Sequence, residues 1–242
     1  MPRPLRDQSA GVVHLTWRGN RRQAVFLDEL DRERFCELLG VACERYGWRV
    51  LAWCLLGNHL HLLVEVPAET LSRGMQWLGG RYAQFFNVRH ELDGHLFQGR
   101  FHSERVADLE HAIEAGRYVD LNPERAGICR ADEWRWSSAR AHLGLEPPRP
   151  FHDAGWLVGH FAFEPADRAA AYADYLDQGR LRPRRPRTAP RLSPRHTSRA
   201  DMAVPAMSAA PSAPDMALRA MSRGLTPGHG RDGHGPEAAR PP

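Results

Sequence analysis

The hydrophobic pattern changes period several times along the first 145 residues, and each change marks an element. "VVHLTWR" (12–18) alternates, with Val13, Leu15 and Trp17 on one side and His14, Thr16 and Arg18 on the other, as a strand with one wet face does. "LDELDRERFCELLGVACERYG" sets Leu30, Phe35, Leu38, Leu39, Ala42 and Cys43 at helical spacing and closes at Gly47. "WRVLAWCLL" and "HLHLLVEV" are two strands that meet at Gly57-Asn58, a favoured hairpin pair. A second helix is predicted from Leu71 to about His90, opened by Thr70 or Ser72 and weakened by the pair Gly79-Gly80. A strand in "LFQGRFHSERV", bent at Gly99, completes the order β-α-β-β-α-β.

That order predicts an α+β, ferredoxin-like antiparallel sheet with both helices on one face and the other face open. The apolar side of each strand meets the helices, so His14, Thr16 and Arg18 are expected to share the open face with His59 and His61. Downstream, Asp108 reads as the N-cap of a helix that runs to Leu121 or Asn122 and is stopped by Pro123. Tyr118 and Asn122 stand four apart on one of its faces. "EWRWSSARAHLG" predicts a short helix buried through Trp134 and Trp136, and residues 166–178 a last helix carrying Tyr172, Tyr175 and Leu176. The expected organisation is a main domain over 1–145, a helical extension over 146–179 and a tail over 180–242. The tail holds 11 prolines among Arg, Ala, Ser and Gly, a composition that cannot bury enough surface to order itself.

Charge is split in the same way. Residues 1–179 carry 21 Arg against 25 acidic residues, a net of −4, whereas residues 180–242 carry 12 Arg against 4, a net of +8. Arg18, Arg21, Arg22, Arg73, Arg81, Arg100, Arg105 and Arg125 therefore read either as a solvated surface or as a local track for a phosphate backbone. In the second case Trp17, Phe97 or Phe101 would be offered to bases. The cysteines form no CxxC pair, and Cys36 and Cys43 fall on a core face, as structural thiols in a reducing compartment do. No apolar run reaches membrane-spanning length and "MPRPLRDQSAG" lacks a signal peptide's apolar segment, which makes a cytoplasmic protein the expectation.

Two neutral imidazoles on one strand face are a ready ligand set for a divalent cation, and an asparagine can add an oxygen. A cation held with open positions polarises a phosphodiester, and a tyrosine aimed at that phosphorus supplies a nucleophile. Each residue also has a plainer role: a hydrogen-bonded strand histidine, a tyrosine with its hydroxyl at the rim, an asparagine that ends a helix.

"GNHLHLL" resembles the His-hydrophobic-His motif of the HUH single-strand-DNA endonucleases. With "HLTWRGNRRQAVF" before it and "GHLFQGRFHSERV" and "RYVDLNPERAGI" after it, the chain resembles the REP-associated tyrosine transposases over residues 1–145. The resemblance implies a divalent cation, Mg or Mn, and cleavage and rejoining of single-stranded or hairpin DNA, of the kind formed by REP-like palindromes, through a 5′-phosphotyrosine. By position, His59 and His61 match the metal pair, Tyr118 the nucleophile and Asn122 the polar residue one turn beyond it that faces the metal. His14, Arg18, Arg21, Arg22, Arg100 and Arg105 are the expected DNA contacts, and Tyr82 is the next tyrosine to consider. The implied protein is nucleoid-associated, a monomer or homodimer, with no membrane partner. Leu56-Gly57 stands where the family usually has Met-Pro. The competing reading is a catalytically silent, transposase-derived regulator that binds hairpin nucleic acid; the presence of all four site residues favours the enzyme.

Overall fold

In the computed structural model, residues 9–181 are described. The Pro/Arg-rich segment, from residue 182 onward, lies outside them. Strand β1 (Gly11–Arg18) leads through a 3-10 turn at Asn20–Arg22 into helix α1 (Glu29–Tyr46), followed by β2 (Arg49–Leu55), β3 (His59–Val66), α2 (Leu71–Arg89) and β4 (His102–Arg105). The sheet order is β2-β3-β1-β4 with every pairing antiparallel, the ferredoxin-like arrangement. Helix α1 starts where the Asp28 carboxylate accepts from the Asp31 backbone N–H and ends at Gly47, whose φ of 69° is the left-handed cap that glycine tolerates.

The helix-facing side of the sheet is the main core. Val13, Leu15, Trp17, Trp53, Leu60, Leu62 and Val64 meet Phe35, Leu39, Met75, Leu78 and Tyr82 there. Trp17, Phe97 and Phe101 belong to this core at 7–8% exposed, so the expected base-stacking role fails for all three. Gly79 is the reason Trp17 fits. A Cβ there would stand 2.0 Å from the indole, so Gly79 forms a notch for the ring, which then stacks on Phe97 at 3.9 Å. The pair Gly79-Gly80 does not interrupt α2, which runs through it unbroken.

Two further expectations are corrected. Only His102–Arg105 of "LFQGRFHSERV" is a strand, because Gly99, at φ 67°, bends the chain before it. The second sheet face is also not left open: α3 (Leu109–Asp120) lies across it, packing Ala115 and Val119 against Leu51, Leu56 and Leu63. Asp108 caps α3 by accepting from the His111 N–H. Helix α3 ends ahead of Pro123, with Leu121 as its cap, and a separate short helix, α4 (Asn122–Arg125), then begins with the proline in its first turn, where a missing N–H is harmless.

The rest of the described chain closes the β2 edge. Residues 136–138 run beside β2, with the Leu55 N–H donating to Trp136 and the Ser138 N–H to Trp53, so the helix expected at the tryptophans is only α5 (Ala139–His142). Helices α6 (Ala154–Val158) and α7 (Arg168–Leu181) complete a small core around Leu157, Tyr172 and Leu176. No helix among the described residues is long and apolar enough to cross a membrane.

Candidate active site

Pairing of β1 with β3 sets Thr16 opposite His61 and Arg18 opposite His59, the register that the alternation predicts. The end of the sheet nearest His59 is tied together by backbone bonds. The Gly19 N–H donates to Asn58 at 2.9 Å, and the Val25 and Phe26 N–H groups both donate to Gly57. Gly19 has to be glycine, since a Cβ would stand 2.1 Å from the Gln23 carbonyl. Asn58 joins this lattice to the site: its Nδ2 donates to the Arg22 carbonyl at 3.1 Å, and its Oδ1 lies 2.6 Å from His59 Nδ1.

Helix α3 brings Tyr118 to the histidines. The rings of His14 and His61 stack at 5.4 Å, and Tyr118 meets them edge-on at 5.5 and 5.6 Å. Tyr118 is 40% exposed. Tyr82 cannot serve in its place. It is fully buried, its hydroxyl donates to the Val25 carbonyl, and burial raises its pKa far above the ordinary value.

Burial also keeps the imidazoles neutral. It lowers His14 and His59 to about 4, the Arg18 charge adding to the effect at His59. His61, 4% exposed, is pushed well below its ordinary value by burial first and then by His14, His59, Arg18 and Arg125. With its Nδ1 proton given to Asn58, His59 presents a free lone pair on Nε2. For His61 the matching tautomer carries its proton on Nδ1, which lies 3.2 Å from both the Thr16 hydroxyl and His14 Nε2, so either can accept it.

This donor set fits a divalent cation with open positions: two neutral imidazoles, each oriented through its other nitrogen. No group of three or more His, Cys, Asp or Glu among the described residues is arranged to hold a metal, so further ligands would be asparagine, water or substrate oxygens. Asn122, 5% exposed, donates through Nδ2 to the Tyr118 carbonyl at 2.8 Å and more weakly to Val119. The helix-end role is thus filled by its nitrogen.

The expected DNA contacts separate into groups. Arg18, Arg21, Arg22 and Arg100 come from the His59 end of the sheet, with Arg21, Arg22 and Arg100 exposed. Arg21 and Arg22 hold φ of 51° and 64° in the turn that Asn58 fastens. His14 stands inside the histidine–tyrosine cluster, against the rings of His61 and Tyr118. Arg105 is apart from all of these: it pairs with Val13, on the opposite sheet face, and its guanidinium donates to the Ser9 and Ala10 carbonyls. Arg125 was read only as one of a general basic set, yet its guanidinium carbon sits 4.4 Å from the centre of the Tyr118 ring. The i, i+7 spacing from Tyr118 was the available signal, hidden because Pro123 reads as a stop.

Residues 7–122 match the family described as transposase, IS200-like, and the match runs from just ahead of β1 to Asn122. That segment is an IS200-like transposase domain. It contains His59, His61 and Tyr118, so the histidine–tyrosine cluster lies within the matched transposase region. Among solved structures, the fold is similar to that of a REP-associated tyrosine transposase bound to a REP hairpin, at 17% identity and a TM-score of 0.51, covering 64% of this chain and 91% of that one. A putative transposase from Deinococcus radiodurans R1 is also similar, at 16% identity and a TM-score of 0.36, covering 54% of this chain and 99% of that one. Among curated proteins none matches the chain.

Proposed function

We propose that this transposase is a metal-dependent single-stranded DNA endonuclease and strand transferase that cuts and rejoins hairpin DNA through a 5′-phosphotyrosine. The observation that carries the reading is the meeting of an accessible tyrosine with a neutral histidine pair on one sheet face. His59 and His61, with Asn122 through its oxygen, would hold Mg or Mn. Such a cation supplies charge stabilisation at a non-bridging phosphate oxygen. Tyr118 Oη attacks phosphorus, a P–O bond to tyrosine forms as the bond to the 3′ oxygen breaks, and that oxygen leaves as a 3′ hydroxyl on taking up a proton. A 3′ hydroxyl attacking the phosphotyrosine reverses these changes and releases the phenol. Arg18, Arg21, Arg22 and Arg100 would take backbone phosphates of the bound strand, and a REP-like hairpin is the substrate class, by likeness to the solved relative.

The test is covalent capture. A hairpin oligonucleotide with single-stranded flanks and a 3′ label is expected to become attached to the full-length protein when Mg or Mn is added. Tyr118→Phe removes only the nucleophilic oxygen, so it should abolish the adduct and leave hairpin binding near that of the unaltered protein. An adduct at full yield in Tyr118→Phe would sink the reading.

A further inference from the structure

We propose that Arg125 is a catalytic residue of this site, its guanidinium taking the phosphate that becomes joined to Tyr118. The inference rests on the strand-transfer reading and adds a residue that neither the histidine pair nor the tyrosine supplies.

The placement follows from how the chain passes Pro123. The Leu121 N–H closes α3 on Arg117, and after Leu121, at ψ 2°, the short helix α4 takes over, with the Arg125 N–H donating to Leu121 and the Ala126 N–H to Asn122. Asn122 Nδ2 meanwhile takes the Tyr118 and Val119 carbonyls, the second being the carbonyl that a residue with an N–H at position 123 would have used. Asn122 and Arg125 follow Tyr118 by four and seven residues, and the turn through α4 brings the Arg125 guanidinium back over the phenol ring. That ring lies against His14 and His61.

At 4.4 Å over the phenol ring, the guanidinium is within one side-chain adjustment of anything bonded to the phenol oxygen. A phosphate in transfer carries its growing charge on equatorial oxygens, and a planar fork of N–H donors is the side chain that matches two of them. A cation over the ring with only a packing role is the competing account.

The two accounts are separated by Arg125→Met, which keeps an aliphatic stem over the ring and removes the donors, and by Arg125→Lys, which keeps the charge without the fork. In the capture assay with the labelled hairpin, the Met variant is expected to form adduct about 100-fold more slowly or worse, the scale of one lost transition-state donor, with Lys intermediate. In a Tyr118→Phe background, where the strand stays intact, Arg125→Met should also lower the log–log salt slope of oligonucleotide binding by about 0.7, one phosphate contact on a single strand. Adduct formation by Arg125→Met within about threefold of the unaltered rate, with an unchanged salt slope, overturns the role of Arg125 and leaves packing. Survival of the adduct in Tyr118→Phe overturns the strand-transfer reading itself, and the two failures are thereby told apart.

Discussion

Helix α3 carries two histidine clusters on opposite sides, and they are built to opposite ends. On one side, Tyr118 meets His14 and His61, with the phenol 40% exposed. On the other, Asp120 is fully buried and accepts from Ser138 Oγ at 2.5 Å, from His142 Nδ1 at 2.7 Å and from the Tyr172 hydroxyl at 2.7 Å. His142 in turn contacts His152 at 3.1 Å. Residue types alone make the second group look the more catalytic, since it has an acid, histidines, a serine and a tyrosine. The carboxylate decides otherwise. Sitting at the centre, it takes up the Ser138, His142 and Tyr172 donors and joins α3 to α5, to α7 and to the segment beside β2, whereas the first group leaves imidazole nitrogens and a phenol for something that arrives.

The sharpest way to break this contrast is to remove the imidazoles. His59→Ala and His61→Ala should each reduce hairpin cleavage to the detection limit and abolish tight Mn binding in calorimetry. The melting temperature of the metal-free protein should move little, because each loses a side chain that faces the site and not the main core. A large loss of stability would make the pair structural instead. Asp120→Ala should do the reverse, destabilising the domain by about 3–5 kcal/mol in urea unfolding because three buried donors, one of them an imidazole, lose their acceptor. If that variant keeps its stability and loses only cleavage, the two sides of α3 are not separate in function. Asn122→Ala lies between: about 1 kcal/mol for the lost helix-end bond and a partial fall in metal affinity, since water can replace one oxygen ligand.

The smallest expected effect is on pH dependence. His14 and His59 titrate near 4 in the fold, and His61 also lies well below its ordinary value of 6.5. Between pH 4 and 6.5 the unfolded chain therefore binds more protons at these positions than the folded one, and unfolding free energy rises with pH across that window. Denaturation followed at pH 4.5, 5.5 and 6.5 should show this rise, and His59→Gln should flatten it. An equal slope in that variant would mean that His59 is protonated in the fold.

Much of the site was legible because strands and turns write themselves locally. Alternation in β1 and β3 placed Thr16 and Arg18 beside the histidines, and Gly57-Asn58 fixed the hairpin. What stayed hidden was tertiary. Nothing in the local pattern says that α3 lies across the second sheet face, because Ala115 and Val119 form only a narrow apolar stripe. Arg125 was masked by a proline that begins a turn where one expects it to end a helix. The burial of Trp17 depended on a glycine 62 positions later in the sequence, and the Asp120 cluster draws on segments from four parts of the chain.

The packing of α3 on its own sheet has a genetic consequence. The tyrosine and the histidines reach each other within a single copy of the protein, and the buried Asp120 cluster fastens the helix to that copy. Two differently broken alleles, one lacking the phenol and one lacking an imidazole, could restore each other only if α3 of one copy left its own sheet for that of another, at the cost of the buried Asp120 bonds.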